Sequence, residues 1–550
     1  MGKVRHIVIF ICVMALIPSV TFGQGKIQYK ASGTMDVFNR NGEKIQRLIE
    51  NVVFVQKSTT IYCDSAFFYR KRNSMEAFGR VRIVDDSVII TARNLFYNGN
   101  TRTAELRNNV VYTKGVTRLI TDNLDYNMET EISHYFGGGK LIDTTNTLTS
   151  KTGYFYAKQH YATFKTNVVL TAPEYILKSN DLHYNTNTKI ATTPGATEIT
   201  TPNGQTKLDA DGGEFRTIND QSIFVEGKLE TPNNFLEGDN MFFDNLNKYY
   251  KAEGHVKLIA KNKDIIIIGD EGFNDETNAI SKIYRNPVMK RVMGDDTLYI
   301  AADTLVYIES DIDSLKRILA YGKVKMFRST LQGLADSVVY LLSDSLIYMY
   351  GDPILWNRNN QIEGDTIIME ISEKSIKRMY LRRNSFLTSE DTLKNYNQIK
   401  GRHMTAYFKD GDIDNVDVNG NGEVIYYALA KGDSLLMGMN RILCSNLKLQ
   451  FSKNNLSNIR AYVKPEARFI PPHELTADVQ KLDGFLWRGD DRPTLEEILN
   501  GSSVEQETDT DDELSTRKPP TFLKEVKPEV KEVRPEGFRN PKKVKNRIKN

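Results

Sequence analysis

The chain repeats a short alternation of apolar and polar positions that ends in an aromatic residue. Clear copies are RNLFY ending at Tyr97, DNLDY at Tyr126 and NDLHY at Tyr184. The aromatic residue and the residue two positions before it are apolar in nearly every copy, whereas the residue between them varies. Because side chains alternate between the two faces of a β-strand, this pattern predicts strands with one apolar face.

The copies recur at a nearly constant spacing. From Tyr69 to Phe273, neighbouring copies lie 28 to 31 residues apart, and weaker copies bring the total to about thirteen. A second landmark, Gly or Asn followed by a β-branched residue, occurs between the aromatic phrases, as at Gly79, Gly254 and Gly322. A fixed period of this length indicates repeats that stack on their neighbours to bury their apolar faces.

These patterns predict an all-β fold, a repetitive stacked β-jelly roll or β-solenoid-like trough of about thirteen strand-turn-strand units over residues 24–470. The apolar pairs of the clearest copies are the candidate inward row. They either line a groove or form a closed core, because both arrangements share one pattern. The row consists of Leu95, Tyr97, Leu124, Tyr126, Leu182, Tyr184, Met241, Phe243, Leu305, Tyr307, Val338 and Tyr340.

The N-terminal residues have the pattern of an export signal. Lys3 and Arg5 precede an apolar run over residues 7–20, and small residues at Thr21 and Gly23 suit cleavage before Gln24. We therefore expect residues 1–23 to be a signal peptide, with a retained signal anchor as the alternative.

The C-terminal residues differ in composition from the repeats. Residues 471–500 form a short extension that contains Pro and Trp. Residues 501–516 carry six acids and no base, and residues 517–550 carry twelve Lys and Arg against four Glu. Such a stretch cannot bury a core, so 501–550 is predicted to be a disordered charged tail, either simply solvated or a tether to an anionic surface.

The sequence has no convincing pattern of a catalytic, metal or cofactor site. FGGGK at 136–140 lacks the spacing of a phosphate loop, and the loop that begins at Asp417 has Ala428 where a calcium loop needs Glu. A net charge of +3 over 550 residues gives no nucleic-acid footprint. We therefore expect no enzyme activity, no cofactor, no metal and no nucleic-acid partner. Aspartates recur in register and are interpreted as turn residues at strand entries: Asp122, Asp181, Asp239, Asp303 and Asp336.

The aromatic phrase, the Gly or Asn landmark and the spacing together resemble the OstA-like family. This family comprises the periplasmic lipopolysaccharide-transport proteins A and C and the N-terminal domain of the outer-membrane protein D. Phrases such as GHVKLIAKNKDIIIIGDEGFN and GKVKMFRSTLQGLADSVVY match its usual order. The repeats are too many for protein A, and the chain beyond Phe469 is too short and polar for the barrel of protein D. The resemblance is thus to a long, barrel-free member.

The resemblance implies a jelly roll whose apolar interior receives lipid A acyl chains while the sugars stay in water. It implies a periplasmic bridge or chaperone that carries lipopolysaccharide toward the outer membrane of a Gram-negative bacterium. The implied partners are lipopolysaccharide or a related lipid, other jelly-roll transport proteins that add to edge strands, the outer-membrane translocon and further copies of the chain placed head to tail. The alternative is an exported β-solenoid that binds or cleaves polysaccharide.

Overall fold

The structure, a computed structural model, describes residues 25–500 except 233, 262–264, 311, 373–374, 431–434 and 453–454. In this part of the chain 36 strands join in one antiparallel sheet, and the α-helix found there is α1, Leu495–Leu499. The strands confirm the all-β stack predicted from the repeat. Within the same residues, no helix is long and apolar enough to cross a membrane. The predicted signal peptide (1–23) and charged tail (501–550) lie outside the described residues.

The first twelve strands follow one another as an antiparallel meander. Both β1 and β2 pair with β3, and from β3 to β12 each strand pairs with the strands before and after it. Their bounds are β1 Gln28–Ala31, β2 Thr34–Arg40, β3 Glu43–Gln56, β4 Thr59–Tyr69, β5 Ser74–Asp85, β6 Val88–Asn98, β7 Thr103–Lys114, β8 Thr117–Asn127, β9 Ile132–Asp143, β10 Asn146–Tyr156, β11 Tyr161–Thr171 and β12 Ile176–Asn185.

In the middle of the chain, several passes across the sheet are divided into two short strands. β13 and β14 pair with opposite ends of β12, so they form one pass that is interrupted at residues 194–196. The strands here are β13 Ile190–Thr193, β14 Thr197–Thr200, β15 Lys207–Ala210, β16 Gly212–Arg216, β17 Gln221–Glu230, β18 Asn234–Asp244, β19 Tyr249–Ala260, β20 Ile265–Asp275, β21 Ile280–Tyr284, β22 Val288–Met293, β23 Asp296–Ala301, β24 Thr304–Ile308, β25 Arg317–Arg328, β26 Leu331–Leu341, β27 Leu346–Tyr350, β28 Ile354–Asn357, β29 Asn360–Glu363 and β30 Thr366–Ile371.

The last strands include the longest of the sheet. They are β31 Ile376–Glu390, β32 Tyr396–Lys409, β33 Asp412–Leu429, β34 Leu436–Ser452, β35 Asn455–Tyr462 and β36 Glu466–Ile470. Both β35 and β36 pair with β34. After β36 the chain continues without strands through residues 471–494 and ends, within the described part, in α1.

Most undivided strands carry a β-bulge near the midpoint, which makes a corner. In β5 the register shift lies at Gly79 and Arg80, with φ of +70° and +39°, and in β7 it lies at Asn108 and Asn109, with φ of +66° and +53°. Gly and Asn tolerate these left-handed conformations better than other residues do. The Gly or Asn landmark of the sequence is therefore the residue of the corner.

Four of the five recurring aspartates, Asp122, Asp181, Asp239 and Asp336, lie within strands near these corners, whereas Asp303 directly precedes β24. Asp122 lies within β8 and accepts a 3.2 Å hydrogen bond from the Asn109 backbone N–H. Asp239 lies within β18, with its carboxylate 2.8 Å from the ring of His255. The interpretation as turn residues at strand entries is thus corrected for the four aspartates that lie within strands, whereas Asp303 does lie at the entry of β24.

Each corner divides its strand into two arms that fold toward each other. We call the half after the Gly or Asn landmark, together with the halves of neighbouring strands that pair with it, the landmark arms, as in Val81–Asp85 and the paired Val88–Thr91. The halves with the aromatic phrase, together with the halves that pair with them, are the aromatic arms, as in Asn94–Asn98. The ring of Tyr112, in a landmark arm, meets the ring of Tyr126, in an aromatic arm, edge-on at 6.2 Å. The arms therefore enclose an interior, and the hairpin turns at their free ends form its rim, opposite the corners.

The apolar core fills this interior in two stretches. One buried cluster extends from Ile27 to Leu182, and a second extends from Leu208 to Leu456. Ile199 and Phe215 are half-buried and pack against both clusters, so they form a seam between them. A third, smaller cluster lies under the C-terminal extension and includes Leu482.

Candidate functional site: the apolar interior and its rim

The structure places the predicted inward row in the interior. Ten members are buried: Leu95, Tyr97, Leu124, Tyr126, Leu182, Met241, Phe243, Leu305, Val338 and Tyr340. Tyr184 and Tyr307 are half-buried and pack against the first and second clusters, respectively. The intervening Phe96 points outward and is 37% exposed. The row therefore follows the inner face of the aromatic arms, with its aromatic members close to the rim.

The interior is filled by the protein's own side chains. The ring of Phe224 meets those of Phe215 and Phe243 edge-on, with centroids 5.2 and 5.4 Å away. A Cβ added at Gly227 would lie 2.4 Å from the sulfur of Met241, so this glycine leaves space that a neighbour occupies. In this structure the row is packed core, with no open groove beside the side chains named here.

Three weaker copies of the phrase place their aromatic residue on the outer face. Tyr156 lies outside against Tyr154, with ring centroids 6.2 Å apart, while the adjacent Phe155 packs against the first cluster. Phe273 lies outside, 5.5 Å from Tyr249, and Phe408 rather than Tyr407 packs against the second cluster. A slip of one residue changes the face of a strand that a side chain occupies.

Buried polar groups close the rim near the N-terminal end. The Tyr97 hydroxyl donates a 2.6 Å hydrogen bond to Gln56 Oε1, and Gln56 Nε2 donates a 2.8 Å bond to the Gly99 carbonyl oxygen. Gln56 ends a landmark arm, whereas Tyr97 and Gly99 belong to an aromatic arm and its turn. These bonds therefore join the two arms across the rim. Burial raises the pKa of Tyr97 to about 12, so the hydroxyl keeps its proton at neutral pH.

A buried arginine reinforces this closure. Arg102, 8% exposed, donates from Nη2 to Thr59 Oγ1 at 3.0 Å, and the same nitrogen lies 3.9 Å from Asp85 Oδ1. Its Nη1 lies 3.7 Å from the carboxylate of Glu129. Because Thr59 and Asp85 lie in landmark arms, the guanidinium links both sides of the rim.

A second closure lies near the C-terminal end. Asn357 Nδ2 donates to the carbonyl oxygens of Thr330 and Gly411 at 2.9 and 3.0 Å. Arg358 forms an ion pair with Asp412. Thr330 and Asn357 lie at landmark-arm turns and Gly411 lies at an aromatic-arm turn, so these contacts again cross the rim. Between the two closures lies the seam at Ile199 and Phe215.

No repeated motif marks these rim residues in the sequence. Gln56, Thr59, Asp85 and Arg102 occur once each, outside the repeated phrase, and only their unusual burial distinguishes them. A polar residue at an inward-facing position of a landmark arm, as at Gln56 after Val52 and Phe54, is the one signal that the sequence offered.

Other chemistry in the described residues is sparse. No group of three His, Cys, Asp or Glu side chains there could hold a metal ion. Cys63 and Cys444 are both free, and burial, with the nearby charge of Asp64, raises the pKa of Cys63 to about 12. A thiol with so high a pKa is unreactive at neutral pH.

Two segments of the chain match family models. Residues 24–180 match the OstA-like protein family, and residues 293–375 match the LptA/(LptD N-terminal domain) LPS transport protein family. No curated protein matches the chain. One match falls on the undivided strands of the first cluster, and the other falls on strands of the second cluster, so both halves of the interior carry the resemblance. Over these two segments the chain is similar to the OstA-like family, and the second matched model describes an LPS transport protein.

Proposed function

We propose that this protein is a periplasmic bridge or chaperone that carries lipopolysaccharide toward the outer membrane. The observation that supports this most directly is the inward apolar row, which continues through both core clusters. An acyl chain in water costs about 0.8 kcal/mol for each exposed CH₂ group. An apolar interior with many similar positions lets such a chain move along it with little net change in free energy.

Lipid enters this interior by opening the rim. The rim closures at Arg102 and Asn357 join opposite arms by polar contacts. At the seam, Ile199 and Phe215 are apolar and only half-buried. Opening at the seam breaks fewer of these buried bonds. We therefore place the first contact of acyl chains at the seam, with the sugars outside the rim.

The two ends of the sheet fit the proposed partners. In the described residues β1 and β2 pair with β3 alone, and β35 and β36 pair with β34 alone, so each end has an edge strand. Apolar side chains are exposed at both ends, with Val37 58% and Phe469 52% exposed. Edge strands accept further strands. We propose that related jelly-roll transport proteins, the outer-membrane translocon or a second copy add here.

The alternative, a β-solenoid that cleaves polysaccharide, requires carboxylates that converge on a substrate. Two of the recurring aspartates instead have partners at the corners: Asp239 contacts the ring of His255, and Asp122 accepts a hydrogen bond from the Asn109 backbone N–H. These contacts favour transport over hydrolysis.

The cargo is tested by mass spectrometry of lipid that co-purifies with the protein from an envelope fraction. We expect lipid A species in amounts that exceed those on a control β-rich periplasmic protein purified in parallel. Equal lipid on both proteins, or polysaccharide without lipid A, would contradict the proposal.

A further inference from the structure

Three buried glutamines lie on the outer face of the landmark arms. Gln332 in β26, Gln361 in β29 and Gln398 in β32 are 3%, 0% and 1% exposed, respectively. They face away from the lipid interior, and residues 475–499, which we call the strap, cover them. The strap runs back from the end of β36 over these strands, and α1 at its end contacts β23 and β25.

Two of these glutamines bind the strap backbone in the same way. Gln361 Nε2 donates to the Leu486 carbonyl oxygen at 2.7 Å, and its Oε1 accepts from the Arg488 N–H at 2.8 Å. Gln398 Nε2 donates to the Gln480 carbonyl oxygen at 2.8 Å, and its Oε1 accepts from the Leu482 N–H at 2.8 Å. Each amide therefore pairs with a carbonyl and an N–H two residues apart, as a neighbouring β-strand would.

A small number of apolar side chains anchor the strap. Leu482 is 2% exposed, and the ring of Phe485 lies 5.6 Å from that of Tyr396 and 6.4 Å from that of Phe386. The ring of Trp487 lies 4.9 Å from Tyr396. Beneath these anchors lies an apolar outer face formed by Ile425, Tyr427, Met439 and Ile470. Without an occupant this face would be exposed, which is unusual for the solvent side of a sheet.

The strap lacks the backbone hydrogen-bond ladder that joins the strands below it. Between Leu475 and Pro493 it has no strand or α-helix, and Leu486 in its middle is 62% exposed. Segments with few buried apolar contacts open locally at lower free energy than the strands of a core do. Recognition through backbone groups also accepts different side chains at most positions.

We propose that this outer face is a docking site for an extended segment of a partner protein, and that the strap is its displaceable resident occupant. The partner segment presents an apolar residue at the Leu482 position and an aromatic residue at the Phe485 position. It pairs its backbone with Gln361 and Gln398. This site lies on the opposite face of the sheet from the interior and does not depend on the lipid cargo.

The test uses the full chain with a protease site inserted between His473 and Glu474, both exposed. After cleavage, a fluorescent peptide of residues 475–499 is added, and binding is followed by anisotropy. We expect the peptide to exchange into the cleaved chain and to bind the uncleaved chain at least tenfold more weakly. A peptide with Leu482→Asp should not exchange, and this variant leaves the receptor unchanged.

Receptor variants locate the site. Gln361→Ala with Gln398→Ala should weaken peptide binding at least tenfold, whereas Gln205→Ala, at an exposed turn, should leave it unchanged. Circular dichroism establishes that each variant retains its strands. Failure of the peptide to exchange, equal binding to the uncleaved chain, or equal binding of the Leu482→Asp peptide would each overturn the proposal.

Discussion

The hydroxyl of Tyr97 donates a 2.6 Å hydrogen bond to the side-chain oxygen of Gln56 across the rim of the interior. Tyr97 thus has two roles, since its ring belongs to the first core cluster and its hydroxyl holds the two arms together. Entry of lipid at this position requires both the ring to move and the bond to break.

We expect Tyr97→Phe to destabilise the N-terminal cluster by about 1–3 kcal/mol, because it leaves the buried Gln56 oxygen without this donor. Urea denaturation, followed together with hydrogen exchange of β3 to β8, measures the effect. Tyr62→Phe, at a residue that is 40% exposed, is the matched control and should change stability by less than about 0.5 kcal/mol. Equal effects of the two changes would contradict a rim closure.

A photo-crosslinking residue at Leu182 or Met241 should capture lipopolysaccharide more than one at His183 or Phe242. The first two side chains are 2% and 1% exposed on the inner face, whereas the other two face outward and are half-buried. Phe242 is the stricter control because it is itself apolar. Gel analysis with antibody against the lipid gives the yields, and similar labelling from both faces would count against a cargo inside.

The exposed N-terminal edge predicts a second effect. Met35→Lys with Val37→Lys should reduce self-association or binding to a jelly-roll partner at least tenfold, because both residues are already exposed on β2 and charges there oppose stacking of another apolar end. Analytical ultracentrifugation measures the association. Ile218→Lys, at a turn residue that is 77% exposed, is the control. Unchanged association in the double variant would exclude this edge as the contact.

Glu363 gives a prediction about pH. Burial raises the pKa of its carboxyl group, and Gln361 and Arg488 lower it by smaller amounts. The folded state therefore holds the proton of this carboxyl group more tightly than the unfolded chain does. The contribution of the protonated group to the free energy of unfolding is lost as pH rises through the folded-state pKa. Glu363→Gln should raise the melting temperature at about pH 8 and change it little at about pH 4, below the ordinary pKa of Glu. Glu174→Gln, at an exposed residue, is the control, and an equal shift at both pH values would argue against this cause.

The C-terminal residues give a prediction from sequence alone. With twelve basic residues against four Glu, residues 517–550 should bind anionic vesicles at low salt and detach as the screening length falls from about 30 Å at 0.01 M to about 8 Å at 0.15 M. Vesicle sedimentation of the full chain is compared with a chain that ends at Asn500. Equal, salt-insensitive binding by both would show that the tail is only solvated.

Local repetition made the strands and their inner face predictable. The alternation around Leu95 and Tyr97 fixes the face of β6, and the glycine at position 79 marks a corner because few residues tolerate its φ. Where a copy is weak, as at Tyr156, the neighbouring Phe155 offers a second apolar register, and only packing decides between them.

Contacts between distant units could not be predicted in this way. Gln56 and Tyr97 lie in different repeats, and the offset between opposite arms depends on how the whole stack is arranged. The same holds for Gln361 and Leu486, which are 125 residues apart and share no repeated motif. A period describes what each unit has in common, whereas these pairs depend on what is unique to one unit.

The corner at the middle of each strand also bears on how such a chain changes over evolution. A single inserted residue within an arm would exchange its inner and outer faces, so changes of that size are strongly selected against. A whole unit of two strands returns the chain to the same corner, so its duplication or loss leaves both ends of the stack intact. Each such event alters the length by about 10 Å, twice the strand spacing. The length of the stack can therefore change by gene duplication in steps of two strands.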